Sequence, residues 1–288
     1  MRFRTRFAPS PSGHLHLGHA YSAACAWHLT AETGGECILR LEDIDTTRCK
    51  PEFAQSILDD LAWLGFAWPK PVRVQSAHFD AYSDTLSTLT GLGLTYRCFK
   101  TRRDILDEIA RAPHGPGEGP DGQIYRGPRD PMSADEEAER LARGESHAWR
   151  LSIDHCRDLL GKEFDRLGFE VMGEGWRAAQ ADALGDVILG RRDIGTSYHI
   201  AVVHDDALQE ITHIVRGVDL EEVTGLHVLL QRLLGLNTPV YRFHPLITDE
   251  TGKRLAKRDR AATLKSLREA GLSPADVHAR LQAARPTG

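Results

Sequence analysis

The stretch Arg6-Phe7-Ala8-Pro9-Ser10-Pro11-Ser12-Gly13-His14-Leu15-His16-Leu17-Gly18-His19-Ala20 decides the reading of this chain. A strand over Arg4–Ala8 runs into a turn of proline, serine and glycine, and then into a helix that begins where two histidines stand three residues apart. Helix N-termini favour anions through their unpaired N–H groups and the helix dipole. Gly18 lets a ligand come close to the backbone. The imidazoles of His16 and His19 at that point suit triphosphate oxygens. A metal site with His14 as third ligand, or an ordinary capped turn, fits the same spacing.

Working outward, the spacing of Ala20, Ala23, Ala24 and Trp27 predicts a helix over Gly18–Thr33. Ile38–Leu41 reads as a short buried strand. Phe53–Leu64 reads as a helix, with Ile57, Leu58, Leu61 and Leu64 repeating at three and four. This β-α-β-α order predicts an α/β fold with a parallel sheet and crossover helices. Between Ala112 and Pro131 five prolines and five glycines mark an irregular or hinge-like segment. Asp135–Arg143 resumes as a charged helix, and Ala148–Ile153 and Val187–Leu189 read as strands. Tyr198–Asp205 reads as an apolar strand ending in a loop, His204-Asp205-Asp206. Leu220–Leu234 reads as a helix with Leu226, Leu229, Leu230, Leu233 and Leu234 on one face. Residues 263–283 carry two short helical segments split by Gly271-Leu272-Ser273-Pro274, where Ser273 and Pro274 form a helix start.

The chain has 288 residues, 41% apolar and 27% charged, which excludes a disordered, collagenous or coiled-coil protein. Apolar runs such as Val228-Leu229-Leu230 fall far short of the ~20 residues that a membrane span needs. The start, Met1-Arg2-Phe3-Arg4-Thr5-Arg6, lacks the apolar run of a signal peptide. The five cysteines are scattered without a C-x-x-C pair, which fits reduced thiols and a cytoplasmic location. The net charge of −5 weighs little against a nucleic-acid partner, because binding needs a local basic patch rather than a global sign.

Two more segments carry chemistry. Leu39-Arg40-Leu41-Glu42-Asp43-Ile44-Asp45 ends a strand in three carboxylates, at the place where parallel sheets bind ligands. Glu42 there can pair with an ammonium or a ribose hydroxyl; a solvated acidic turn has the same composition. Gly252-Lys253-Arg254-Leu255-Ala256-Lys257-Arg258 is a basic loop with a flexible glycine, able to close over phosphates or to stand as a solvated surface turn.

Taken together, these segments resemble the class I aminoacyl-tRNA synthetases. His16-Leu17-Gly18-His19 resembles their first signature and Arg254-Leu255-Ala256-Lys257 the second, the mobile lysine loop. Arg6 to Gly13, Leu39 to Asp45, Ser197-Tyr198-His199 and Ile214-Val215-Arg216-Gly217 look like the glutamate-activating branch. With only 31 residues (258–288) after Lys257, the chain resembles the short members of that branch, the glutamyl-queuosine tRNA(Asp) synthetases, which lack the helical anticodon-binding domain. The resemblance implies a Rossmann-type parallel-sheet catalytic core: a first half over 1–95, an inserted connective subdomain over 96–180, a second half with the lysine loop over 181–262, and a short C-terminal helical tail over 263–288.

The implied activity is ATP-dependent activation of L-glutamate and transfer to the queuosine base at the anticodon wobble position of tRNA(Asp). Arg6, Ser10, Glu42, Tyr198 and Arg216 are expected to line the glutamate pocket. The chemistry agrees, because two carboxylates and one ammonium call for two guanidiniums and one carboxylate. His16, Gly18, His19, Arg254 and Lys257 are expected at ATP, with His16, His19 and Lys257 catalytic and Mg²⁺ accompanying the nucleotide. Arg102-Arg103, Arg126 with Arg129, Arg191-Arg192, and Arg258 with Arg260 offer sites for RNA phosphates. The expected state is a monomer without membrane contact.

The chain departs from the family pattern in two segments. Arg254 and Ala256 stand where many members have Lys and Ser. Cys98 is followed by Phe99 and Lys100, and Tyr125 by Arg126, Gly127, Pro128 and Arg129, where members often supply cysteines to Zn²⁺. One cysteine cannot build a site of about four ligands, so zinc is expected to be absent and Cys98 a small buried hydrophobe. Competing readings are the same chemistry with another acceptor (tRNA(Glu) or a small amine), a non-catalytic RNA-binding paralogue, and a nucleotidyltransferase for another small acid. The intact His16, His19, Glu42, Arg216 and Lys257 weigh against the paralogue.

Overall fold

A computed structural model of the chain describes residues 2–105, 118–119, 122–127, 132–247 and 262–283. The strands are β1 (Arg4–Phe7), β2 (Glu36–Leu41), β3 (Arg73–Val74), β4 (Thr95–Cys98), β5 (Glu118–Gly119), β6 (Gly122–Gln123), β7 (Ala148–Leu151), β8 (Gly168–Val171), β9 (Gly175–Ala178), β10 (Ile188–Gly190), β11 (His213–Gly217) and β12 (Val240–His244). The helices are α1 (Leu17–Thr33), α2 (Pro51–Trp63), α3 (Phe79–Gly91), α4 (Ala134–Ala142), α5 (Ile153–Leu160), α6 (Tyr198–Leu208), α7 (Glu221–Leu233), α8 (Leu264–Glu269) and α9 (Pro274–Ala283). Among the described residues no helix is long and apolar enough to cross a membrane.

The fold is α/β with a parallel sheet. Strands β1, β2 and β3 run parallel, with Arg6 opposite Ile38 and Arg40 opposite Arg73. A second group runs β11-β12-β8-β9, parallel from β11 through β8. The two groups meet where the Thr212 N–H donates to the Arg4 carbonyl at 3.0 Å and the Arg4 N–H donates to Thr212 Oγ1 at 2.9 Å. The sheet order reverses there, and in such sheets ligands bind beyond the carboxyl ends of the strands at that switch point. Strands β4, β7 and β10 form a separate antiparallel sheet.

Local sequence explains the elements nearest the switch point. In β2, Cys37 through Leu41 are all buried, the signature of a strand covered on both faces. Helix α1 ends at Gly34, whose left-handed φ of 66° lets its N–H reach the Thr30 carbonyl. Helix α2 starts at Pro51 with Glu52 in the first turn. Helix α9 starts as expected at Ser273 and Pro274: the Ser273 N–H and hydroxyl both reach Asp276, and the Asp276 N–H returns to Ser273 Oγ. Leu264, Leu267, Val277 and Leu281 bury α8 and α9 in the same apolar cluster as Phe7, Leu39 and Leu61.

One expectation is overturned. Tyr198–Asp205 is not a strand that runs into a loop; it belongs to helix α6, which continues to Leu208. Ile200, Ala201, Val202, Val203, Asp205 and Asp206 are all buried, so the segment shows no polar face from which a 3.6-residue period could be read. A short apolar run buried on all sides looks the same as a strand in sequence.

Helix α7 packs unusually close to its neighbour. A Cβ at Gly225 would lie 2.5 Å from the Gln180 carbonyl oxygen and 2.7 Å from its carbon. Glycine-to-alanine in a helix ordinarily stabilises by about 1 kcal/mol. Gly225→Ala is expected instead to cost about 1–3 kcal/mol through overpacking, read as a lower urea midpoint at unchanged slope. A stability equal to or above the parent's would contradict the packing argument.

Candidate active site

The cleft opens at the carboxyl ends of β1 and β2. The loop after β1 is pinned to the loop after β2: the Glu42 N–H donates to the Pro9 carbonyl at 3.1 Å and the Lys50 N–H to the Pro11 carbonyl at 3.0 Å. Between them lies a cavity of about 250 Å³ lined by Ser10, Glu42, Asp45, Gln75, Arg191 and Tyr198 among others. That is small beside the ~300–1,000 Å³ of drug-sized sites, and it suits a ligand the size of an amino acid. The structure thus brings Ser10, Glu42 and Tyr198 to one cavity.

Behind the cavity lies a buried ionic network. Arg40, fully excluded from solvent, donates to Asp206 Oδ1 at 2.8 Å, to Gln209 Oε1 at 2.9 Å and to Glu42 Oε1 at 3.0 Å, and stands 3.8 Å from Asp205. Arg6 donates through Nε to Asp206 at 3.0 Å. Arg73 donates to Asp205 Oδ1 at 2.7 Å, and Gln75 and Tyr82 both donate to Asp205 Oδ2 at 2.9 Å. Burial opposes the Asp206 charge, yet Arg6 and Arg40 hold its carboxyl below the usual range. Arg40 is held more firmly protonated than usual: burial opposes its charge, and Asp206, Glu42 and Asp205 outweigh that. Burial pushes the Glu42 carboxyl up, and Arg40 and Arg6 pull it back only in part. A ligand ammonium beside Glu42 would therefore favour its charged form.

Three guanidiniums (Arg6, Arg40, Arg73) face three carboxylates (Glu42, Asp205, Asp206), so this network is balanced. Arg216 is not. It is 4% exposed and has no carboxylate within ion-pair distance among the described residues. Its partners are neutral: Thr224 Oγ1, His227 Nδ1 at 3.4 Å, and the rings of Tyr241 and Phe243 at 5.0 and 5.9 Å. Its Nε is buried without a hydrogen-bond partner. Arg6 and Arg216 both act electrostatically on the Tyr198 hydroxyl, which burial and Glu42 hold above its ordinary value. The two terminal nitrogens of Arg6 make no hydrogen bond among the described residues. Arg216 therefore carries a buried charge with no carboxylate partner among the described residues, and Arg6 keeps an open guanidinium edge; neither is among the residues that line the cavity, whose cations are Arg48 and Arg191.

The first motif lies at the start of α1. His16 is the N-cap: its Nδ1 accepts from the Gly18 N–H at 3.1 Å, and the His16 N–H donates to His19 Nδ1 at 3.2 Å. With each Nδ1 acting as acceptor, a neutral ring carries its proton on Nε2. The rings lie 3.8 Å apart. His14 turns away, to Ser56 Oγ at 2.8 Å and the Phe53 ring. Beside this motif the Leu264 N–H donates to the Leu15 carbonyl at 2.8 Å and Thr263 bridges His16. Arg254, Lys257, Arg129, Arg258 and Arg260 lie outside the described residues. Of the other basic residues, Arg191 pairs with Asp193 and Asp45, and Arg192 donates to the Cys98 and Lys100 carbonyls.

Sequence reasoning missed Arg40, Asp205, Asp206, Gln75, Thr224 and His227. Asp205 and Asp206 did carry a signal: two adjacent carboxylates closing an apolar run need buried cations. Nothing local marks Gln75, whose Nε2 is fixed on Asp205 while its Oε1 is buried without a partner beside the cavity.

The family model described as tRNA synthetases class I (E and Q), catalytic domain, matches residues 2–282. A Glutamyl-Q tRNA(Asp) synthetase of Rhodobacter capsulatus is 46% identical over 95% of this chain and 97% of its own length. A protein of the same name from Symbiobacterium thermophilum is 37% identical over 94% of this chain and 83% of its own. The crystal structure of glutamate-tRNA synthetase from Elizabethkingia anophelis superposes with a TM-score of 0.74 at 26% identity, over 90% of this chain. The chain spans about half, 53%, of that solved protein's length.

Removing Arg40 would leave Glu42 without its ion-pair partner and Asp205 and Asp206 with one arginine each around a dry site. Arg40→Met is expected to cost about 3–5 kcal/mol, seen as a lowered chemical-denaturation midpoint or as loss of soluble protein. A change below about 1 kcal/mol would show that water reaches the site.

Proposed function

The chain belongs to the class I tRNA synthetase family of the glutamate and glutamine enzymes, a family of ligases, and from that premise we propose that it activates L-glutamate with ATP and transfers it to the queuosine base at the anticodon wobble position of tRNA(Asp). The observation that carries the amino-acid half is the buried charge of Arg216, without a carboxylate partner among the described residues, beside a balanced network behind a small cleft. A neutral pocket would take a neutral side chain, whereas a buried guanidinium without a counter-charge calls for a carboxylate. Support for the acceptor is the alignment with the Rhodobacter relative along nearly the whole of both chains.

In this reading Arg6 and Arg216 take the two carboxylates of glutamate, and Glu42 takes the ammonium with its free oxygen, Oε1 being held by Arg40. Ser10 and Tyr198 complete the walls. An α-carboxylate oxygen attacks the α-phosphorus of ATP and pyrophosphate leaves; the protein supplies position and charge. His16 and His19 donate Nε2–H to phosphate oxygens at the N-terminus of α1, close to Gly18, where the helix dipole adds to them. Arg254 and Lys257 neutralise the charge that develops on the phosphates. Mg²⁺ would enter on the triphosphate, where it screens charge. A queuosine hydroxyl then attacks the activated acyl carbon and AMP leaves. No zinc takes part, and Cys98 is buried with Ile105 and Tyr125 in a small apolar cluster. The protein is expected to work in the cytoplasm, as a monomer.

The acceptor is tested with radiolabelled glutamate, ATP and Mg²⁺ on two tRNA pools, one from cells that make queuosine and one from cells that do not. Label confined to the tRNA(Asp) of the first pool is expected. Equal label on both pools would assign ordinary tRNA charging instead, and no label despite glutamate-dependent pyrophosphate exchange would assign another acceptor.

Pyrophosphate exchange tests the residues. Arg216→Ala is expected to lower kcat/KM for glutamate by about 10²-fold, the worth of one charge-assisted contact of up to ~3 kcal/mol. Lys257→Ala is expected to abolish adenylation in a folded protein. Unchanged exchange in either variant would remove that residue from the mechanism.

A further inference from the structure

Helix α7 runs beside β11 and turns Thr224 and His227, three residues apart on one face, toward Arg216. A guanidinium can only donate, so the His227 Nδ1 that receives Arg216 at 3.4 Å must carry a lone pair. The ring's proton is then on Nε2, which lies 3.3 Å from His199 Nδ1 on α6. The hydrogen bonds run one way, from Arg216 to His227 to His199. His227 is 2% exposed, and the charged and titratable groups that face it are Arg216 from β11, Arg6 from β1, and His199 and Tyr198 from α6. No carboxylate is among these groups.

We propose that His227, locked by His199 as the neutral Nε2–H tautomer, is the positioning residue that aims Arg216 without neutralising it, and so reserves that charge for the carboxylate that distinguishes glutamate from glutamine. The proposal rests on the glutamate reading above. An acidic side chain at this position would aim the guanidinium equally well, but it would compete with the substrate for its charge. A cationic imidazole would repel it. Burial, with Arg216 adding to it, holds His227 well below the usual histidine value and so keeps it neutral at pH 7.

The experiment has two arms. In the first, long-range ¹H–¹⁵N spectra of the ¹⁵N-histidine-labelled full chain report the tautomer. The expected result is a neutral His227 with its proton on Nε2 at pH 7; an Nδ1–H tautomer or an imidazolium would overturn the proposal whatever the ligand. In the second, calorimetry measures binding of glutamate, glutamine and ATP to the parent, His227→Glu and His227→Gln. His227→Glu is expected to weaken glutamate about a hundredfold, to leave ATP unchanged, and to erase the preference over glutamine. His227→Gln, neutral and able to accept and donate, is expected to keep glutamate within a few-fold. Parent-like glutamate affinity in His227→Glu would overturn the proposal. So would an equal loss in His227→Gln with ATP binding intact, because that marks a merely structural role. A parent that shows the expected tautomer yet binds no glutamate counts against the glutamate reading, while the hydrogen-bonded relay stands supported.

Discussion

A guanidinium with no access to water, Arg40 in the middle of β2, is the constraint around which the rest of the cleft is arranged. Taking such a charge out of water costs several kcal/mol even after relaxation, and the cost is offset only if counter-charges arrive with good geometry. Here they come from Glu42 at the end of its own strand and from Asp205 and Asp206 on α6. The same two aspartates also take Arg6 from β1 and Arg73 from β3. Three adjacent parallel strands thus each send one arginine to two successive residues of one helix. The helix cannot rotate or slide without breaking several buried ion pairs together. Tyr198 stands seven residues before Asp205, two turns along the same helical face, so the clamp that fixes Asp205 also fixes the side chain that lines the cavity.

The network explains why the cleft can be selective at all. Were its charges unbalanced, the nearest excess group would compensate Arg216 and remove its preference. Because Arg6, Arg40 and Arg73 are matched by Glu42, Asp205 and Asp206, the network lends no carboxylate to Arg216, whose neighbours among the described residues are a hydroxyl, an imidazole and two aromatic rings. Aromatic faces favour the cation without supplying a full negative charge. The pocket's character is therefore set as much by residues that stay neutral as by the charged ones.

The sequence made legible what depends on near neighbours. The order of strand and helix from Arg4 to Leu64, the helix start at Ser273-Pro274, and the leucine face of α7 follow from spacing, capping and periodicity over a few residues. Glu42, Ser10 and Tyr198 were named because they sit in recognisable words, and the fold does bring them to one cavity. What stayed hidden depends on partners far along the chain. Arg40 reads locally as one polar residue in an apolar strand; its role appears only when Asp206, 166 residues on, is placed beside it. Helix α6 reads as a strand for the same reason: its polar residues are buried by distant arginines rather than exposed on a face, so the expected amphipathic period is absent. His227 lies among the leucines of α7, where an isolated histidine carries no sign that Arg216 and His199 flank it.

The first motif shows how one set of atoms serves the fold and the ligand without conflict. The N-terminus of α1 needs its first N–H groups satisfied, and serine, threonine, aspartate or asparagine is the usual solution. An aspartate there would cap well and repel a triphosphate. Here His16 and His19 cap reciprocally through Nδ1, leaving the helix dipole uncancelled by any acidic group in the first turn. The capping bonds also dictate the tautomer, so the opposite edge of each ring carries an N–H donor of fixed direction. Leu264 and Thr263 are bonded to Leu15 and His16 directly beside this cap. The geometry that stabilises the helix start therefore orients both imidazoles. A substitution that improved the cap alone, such as His16→Asp, would remove a donor and add the wrong charge in the same step.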